Sequence, residues 1–339
     1  MTRKSQKIRN SLKFIDLFCG GGLGARGAVR GGGTPLLGVD AWDLATKTYK
    51  ANFPEATVIQ SRIETIDPTH YTDTLAPNVL LTSPECTAHS IARGAKPGSE
   101  SSRETAIGIF PWIKAFTPRW VIVENVNRMK KWERHEELLV TLENHGYTIS
   151  QLVLNSADFG TPQARKRLFL ICDLSGSHIR KVDLLASHEK RPKSASSIIA
   201  SHGTYKSTPL NIPSRATATI ERAERAIKTL GRNVPFLIVY YGSDYAGGWQ
   251  SLDAPLRTVT TRDRFGLVTW KADEPMLRML QPPELLKAMG TGTVHKLPFG
   301  SRRDKIKLCG NGVCSPVMEV IFRTLKKATR GKKGLAVAA

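Results

Sequence analysis

Cysteine is scarce and scattered. Five residues, Cys19, Cys86, Cys172, Cys309 and Cys314, stand among 339, with no C-x-x-C pair. That argues against a disulfide framework and a cysteine-built zinc site, so no metal is expected and a reducing cytoplasm fits. Long apolar runs are missing too. No stretch approaches the ~20 apolar residues of a membrane-spanning helix, so no membrane partner is expected. Residues 1–13 are basic and polar and lack the apolar centre of a signal peptide. Acid is in short supply: Asp and Glu number 29 against 50 Lys and Arg, a formal charge of +21. A solvated, merely basic surface is one reading. An excess of this size more often marks a polyanionic partner, nucleic acid first. No internal repeat is present, and the length allows a large core in one or two domains.

What is present alternates between apolar runs and glycine or polar breaks. Residues 14–18 read as a buried strand, followed by Cys19-Gly-Gly-Gly-Leu-Gly24 and a helix. Such a loop turns tightly, lets backbone approach a ligand and offers it a helix N-terminus. Dinucleotide loops look similar. Residues 35–39 read as a second strand ending in Asp40, an acid suited to ribose hydroxyls. Residues 45–52 read as a helix. This β-α-β-α opening predicts an α/β doubly wound sheet. Residues 78–81 form another short apolar run, broken by Ser83 and Pro84. Cys86 therefore falls on a loop past a strand's C-terminal end, the edge where ligands bind. It is either a nucleophile or a small core hydrophobe. Residues 120–126 read as a strand ending in Glu124-Asn125, and a carboxylate there is costly without a partner or a task. Residues 133–145 read as a helix stopped by Gly146, and residues 149–154 and 168–172 as two more strands. Between them Arg165, Lys166 and Arg167 are either a solvated turn or a grip on an anion.

After Cys172 the texture changes. Residues 175–214 are rich in Ser, Lys and Arg and read as loops and short pieces. Residues 216–230 predict a helix closed by Gly231. Residues 235–241, 256–261 and 265–270 read as strands of a smaller, basic lobe. Residues 275–290 read as a loop and a short helix. Gly310-Asn-Gly-Val313 then precedes an amphipathic helix over residues 315–327, with a basic, frayed tail beyond it.

Taken in order, these segments resemble the DNA cytosine-5 methyltransferases. Asp16-Leu-Phe-Cys-Gly-Gly-Gly is similar to that family's S-adenosylmethionine loop, and Ser83-Pro-Glu-Cys86 to its Pro-Cys nucleophile loop. Glu124-Asn-Val126 matches its Glu-Asn-Val, and Gln163-Ala-Arg-Lys-Arg167 its Gln-x-Arg-x-Arg. Leu277-Arg-Met-Leu-Gln-Pro-Pro-Glu284 looks like the element after its variable region, and Gly310-Asn-Gly-Val313 like its closing Gly-Asn-x-Val. Each motif is weak alone; six in order are specific.

The resemblance implies a Rossmann-like, S-adenosylmethionine-dependent methyltransferase sheet with a smaller target recognition domain. Its expected parts are a catalytic domain over residues 11–174, the recognition domain over 175–270, and a return segment over 271–327. Residues 1–10 and 328–339 would be basic flexible tails, and the final helix would pack beside the first strand. It implies a catalytic set of Cys86, Glu124, Arg165 and Arg167. Cys86 would attack carbon 6 of a cytosine flipped out of the duplex, Glu124 would serve the ring N3, and Arg165 would donate to the pyrimidine carbonyl. It implies S-adenosyl-L-methionine held by Phe18, Gly20, Gly22, Leu23, Asp40, Trp42, Asn311 and Val313. The implied setting is a monomer acting on double-stranded DNA in a bacterial or phage-infected cytoplasm, alone or with a cognate restriction endonuclease. A tRNA cytosine-5 methyltransferase and an inactive DNA-binding relative stand as alternatives.

The sequence departs from the family in places. Glu85 replaces the proline before the nucleophile, and His89 stands where an aromatic is usual. Ala41 takes the adenine-stacking position, with Trp42 one residue late. Ser61-Arg62 replaces an acid that meets the adenine amino group.

Cys86→Ala is expected to abolish methyl transfer while calorimetry still detects cofactor binding. The wild type is expected to form a covalent adduct with DNA carrying 5-fluorocytosine at its target. Full turnover by the variant would remove Cys86 from the chemistry.

Overall fold

The computed structural model describes residues 11–84, 105–186, 192–242 and 247–335, with side chains through Thr329. Glu85, Cys86 and His89 lie outside the described residues. Among those described, seven strands form one sheet: β1 (Leu12–Leu17), β2 (Gly33–Asp40), β3 (Thr57–Gln60), β4 (Val79–Thr82), β5 (Trp120–Asn125), β6 (Thr148–Asn155) and β7 (Lys166–Asp173). Their order is β3-β2-β1-β4-β5-β7-β6. The first five pair in parallel, and β7 runs antiparallel to both β5 and β6. The central strands β4 and β5 are buried along their whole length, as expected when both sheet faces are covered.

The pleat divides the core in two, because successive side chains point to opposite faces. Phe14, Leu81 and Ile122 join one cluster, and Ile15, Leu80 and Val123 join the other. Helices α1 (Leu23–Arg30) and α2 (Asp43–Asn52) cover the first face through Leu23, Ala25 and Tyr49, with Phe53 just past the end of α2. Helices α3 (Phe110–Phe116) and α4 (His135–Asn144) cover the second through Trp112, Ile113, Leu138 and Leu142. As expected, α4 ends where Gly146 turns left-handed at φ 86°.

The smaller sheet contains β8 (Thr208–Pro209), β9 (Phe236–Val239), β10 (Trp249–Ser251), β11 (Phe265–Lys271) and β12 (Glu274–Met279), in the order β10-β9-β11-β12-β8. After the short helix α5 (Lys181–Ala186), α6 (Thr217–Leu230) packs Ala223 and Ala226 against Phe236, Ile238 and Val268 on one face. On the other face Leu237, Val239, Phe265 and Leu267 belong to the core of the large sheet. The lobe therefore shares a core with its neighbour.

Packing and strand pairing continue across the expected bounds of 175 and 270. Ile179, Leu184, Ala195 and Ile198 pack into the large core, and the sheet runs on to Met279 because β12 pairs antiparallel with β11. Residues 256–261 are not a strand. Their backbone bonds go to the 162–164 loop: Ala164 N–H to Leu256 O at 2.7 Å and Leu256 N–H to Pro162 O at 3.0 Å.

The chain closes with α7 (Pro282–Ala288), α8 (Arg302–Asn311) and α9 (Ser315–Leu335). α8 was not foreseen, because it starts at a capping box, Ser301 with Asp304, rather than at an apolar repeat. α9 runs past the expected start of the tail at 328, as far as Leu335. It returns beside β1, with the Phe322 ring edge-on to Phe14 at 5.4 Å and Ser315 Oγ donating to Leu23 O at 2.6 Å. No helix among the described residues is long and apolar enough to cross a membrane.

The α1–α9 contact leaves no space at Gly27. A Cβ built there would lie 2.1 Å from the Ser315 carbonyl oxygen. Gly27→Ala is therefore expected to lower unfolding free energy by about 1–3 kcal/mol, the usual cost of overpacking. Urea titration checks this; unchanged stability would mean that α9 is not pressed against α1.

Candidate active site

At the C-terminal edge of the large sheet, β1 and β2 turn into the first two helices. The chain leaves β1 through Phe18, whose φ of 58° is unusual for a residue with a side chain. The turn is held from both sides. Ser83 Oγ donates to Phe18 O at 3.3 Å. Asp40 accepts from Gly20 N–H and Trp42 N–H, both at 2.8 Å, one on each carboxylate oxygen. Asp40 thus sets the shape of the loop and the start of α2 together. Burial pushes its carboxyl above the usual range, while the two amide donors and the nearby Lys307 charge pull it back.

Asp16 lies deeper, near the end of β1. Burial and then the Asp40 charge raise it well above the ordinary value, and the Tyr49 hydroxyl acts the other way. The first turn of α1 carries no acidic residue. Its free amides and positive dipole end are therefore open to an anion.

The second half of the site lies one strand over. β4 ends at Thr82, and Asn125 Nδ2 donates to Pro84 O at 3.2 Å, so β5 fixes the chain two residues before Cys86. Glu124 points into a small cavity with Ser156, Arg165, Arg167, Val313 and Cys314. Arg167 Nε stands 3.4 Å from Glu124 Oε1. Burial raises the Glu124 carboxyl, and Arg167 and then Arg165 oppose that rise without cancelling it.

Arg165, expected as the donor to the pyrimidine carbonyl, is anchored by its two terminal nitrogens, while its buried Nε has no hydrogen-bond partner among the described residues. One terminal nitrogen donates to Val259 O and the other to Gly310 O, both at 2.9 Å. Its guanidinium joins the loop before β7 to the smaller lobe and to the end of α8. Gln163 does the same one step earlier: its Nε2 donates to Ala288 O at 3.1 Å, and its Oε1 accepts from Val259 N–H at 2.9 Å. Gly310 is required where it stands, since a Cβ would lie 2.3 Å from the Thr260 carbonyl carbon.

The structure brings the expected residues into two adjoining groups. Phe18, Gly20, Gly22, Leu23, Asp40 and Trp42 surround the glycine loop. Glu124, Arg165, Arg167 and Val313 line the neighbouring cavity, while Asn311 is exposed at the last turn of α8. Of the departures, Ala41 is exposed, and the Lys307 ammonium sits 4.2 Å over the Trp42 ring. Arg62 pairs with Glu64 at 3.5 Å. Sequence reasoning missed Lys307 because α8 was not foreseen. It missed His295 because nothing in a polar loop marks burial. That ring lies near Phe53 and is pushed down to about 3 by burial and the Arg26 charge, so it is neutral.

Comparison with known proteins gives a consistent result. The family described as C-5 cytosine-specific DNA methylase matches residues 12–327. The Type II methyltransferase M.HgiDI of Herpetosiphon aurantiacus is 27% identical over 269 residues, 77% of this chain and 84% of that protein. The Type II methyltransferase M.HaeII of Haemophilus aegyptius is 26% identical over 94% of this chain and 95% of its own. The fold is similar to the crystal structure of S. pombe Dnmt2 methyltransferase. The TM-score is 0.69 at 14% identity, covering 94% of this chain and 99% of that one.

Removing the Arg165 guanidinium strands two buried carbonyls. A hydrogen bond to a charged group contributes about 1.5–3 kcal/mol, so Arg165→Met is expected to lose several kcal/mol in urea unfolding. Arg167→Met, which leaves those two carbonyls satisfied, is expected to lose less. Equal losses would contradict the different roles of the two arginines.

Proposed function

Because this chain belongs to the C-5 cytosine-specific DNA methylases, we propose that it methylates carbon 5 of a cytosine flipped out of duplex DNA, with Cys86 as nucleophile and S-adenosyl-L-methionine as methyl donor. The observation that carries this reading is Glu124. It is a buried carboxyl with its ionisation disfavoured, 3.4 Å from a guanidinium, on the strand end that also holds the chain before Cys86.

The residues around the glycine loop fit the cofactor. The Cβ position of Gly20 opens on empty space, with no atom within 4 Å. Asp40, fixed by two amides, keeps lone pairs for ribose hydroxyls. The N-terminus of α1 suits the methionine carboxylate. When bound, the cofactor supplies an electrophilic methyl group.

The remaining chemistry falls to the chain. The Cys86 thiolate adds to carbon 6 of the cytosine. The displaced π electrons make carbon 5 nucleophilic and raise the basicity of N3, where the Glu124 carboxyl delivers its proton. Once carbon 5 carries the methyl group, a base removes its proton, and the electron pair expels the cysteine sulfur. Arg167, beside Glu124, holds the carboxyl toward the ring. Arg165 keeps the supporting loop in place. The lobe within residues 175–270 chooses the target sequence, and duplex DNA is the partner. The Type II names of the relatives suit a restriction-modification setting.

Incubation with tritiated-methyl S-adenosylmethionine and either duplex DNA or tRNA tests the reading, with label expected in DNA. Label in tRNA, or in neither, would replace it. Glu124→Gln is expected to slow single-turnover methylation by about 10²-fold or more. The sign of the pH effect follows from the raised carboxyl. The proton that N3 needs is present at low pH, survives above the ordinary Glu range, and is lost as pH rises through the raised value. The wild-type rate should therefore fall on that limb, and the Glu124→Gln rate should not.

A further inference from the structure

A cationic surface outside the smaller lobe adjoins the catalytic strand end. After Asn125 the chain makes one 3-10 turn, Asn127–Lys131. Met129 is buried at 1% exposure and pins the turn to the core, while Arg128, Lys130 and Lys131 are exposed. The antiparallel pairing of β5 with β7 sets Asn125 opposite Leu168. Two further steps bring Lys166, also exposed, alongside the start of this turn. The turn packs against β7, so the four cations lie on the two chain segments that continue from Glu124 and precede Arg167.

None of the four forms an ion pair among the described residues, although the same surface pairs cations elsewhere. Arg134 bonds to Glu137, Lys47 to Asp43 and Arg180 to Asp183. The nearest acid in sequence, Glu133, is exposed and follows buried Trp132. Like charges held together repel, and a polyanion relieves that repulsion. Flipping a base also turns the backbone around it at a cost of a few kcal/mol, so phosphates close to the pocket are the ones worth gripping.

We propose that Arg128, Lys130, Lys131 and Lys166 form a phosphate-binding ledge for the DNA strand entering the catalytic pocket. The ledge is built on the catalytic sheet and is independent of sequence choice. It rests on the reading of the protein as a duplex-DNA methyltransferase. It reaches the site through Asn125 and Arg167, whereas the smaller lobe reaches it through Val259. Phosphate contacts position a protein on DNA without reading its sequence.

The test is the triple variant Arg128→Gln/Lys130→Gln/Lys131→Gln, with Lys166→Gln made separately because of its neighbours. Fluorescence anisotropy measures duplex affinity between about 50 and 200 mM salt, a range in which each phosphate contact adds about 0.9 to the slope of log K against log salt. The triple variant should lose about two to three from that slope and weaken equally on target and non-target duplexes. Its S-adenosylmethionine affinity by calorimetry and its methylated site by bisulfite sequencing should not change. A slope equal to the wild type, in a variant that still binds S-adenosylmethionine, would overturn the ledge. A moved target site would make it part of sequence recognition and overturn it too. Failure of the underlying reading shows separately, as a wild-type protein that puts no label into duplex DNA; the ledge then falls with it.

Discussion

A guanidinium removed from water must find acceptors, and Arg165 finds them in the backbone of two distant segments. Its bonds to Val259 O and Gly310 O join the loop before β7 to the smaller lobe and to the last turn of α8. Gln163 adds the end of α7 and a second hold on Val259. Much of the site is arranged around this knot. Val313, three residues past Gly310, lines the same cavity as Glu124. The side chain that touches most of the site's supports is therefore occupied with holding it together.

The other constraint is electrostatic. Asp16, Asp40 and Glu124 all stand near the C-terminal ends of parallel strands, and burial disfavours the charge on each. They are accommodated differently. Asp40 spends both oxygens on the amides that shape the glycine loop. Asp16 has Tyr49 facing it and the Asp40 charge against it. Glu124 has Arg167 beside it and no hydrogen bond on Oε1 among the described residues. Glu124, the acid proposed for proton transfer, is thus held by an ion pair rather than by amide donors, and differing environments of acids in one site suit differing roles.

The basic surplus divides along similar lines. Arg165 is buried and Arg278 half-buried, and both are committed, Arg165 to carbonyls and Arg278 to a two-bond pair with Glu284. Arg128, Lys130 and Lys131 face solvent. Net charge alone does not separate these uses, since a buried structural cation and an exposed one count equally in it.

Local pattern was enough for six of the seven strands of the large sheet, the glycine loop, the helix stopped by Gly146 and the acids at strand ends; the short edge strand β3, with no buried residue, was not foreseen. Each of these rests on residues adjacent in sequence: apolar runs buried on both faces, glycines where the backbone turns, a carboxylate that ends a run. The sequence also determined the family, because six short motifs in a fixed order leave little else. Tertiary structure alone decided the rest. Residues 256–261 have the composition of a strand, but their hydrogen bonds go to a loop about a hundred positions away in sequence. α8 lacks an apolar repeat; its one local mark is the Ser301–Asp304 capping box, and packing of Ile306, Leu308 and Cys309 completes it. Arg165 and Arg167 are two residues apart and chemically alike, yet one is bound to backbone and the other faces Glu124. Long-range partners set the fate of residues 256–261 and of the two arginines, because a polar group's role depends on what the fold brings within about 3 Å of it, and local sequence carries no record of that.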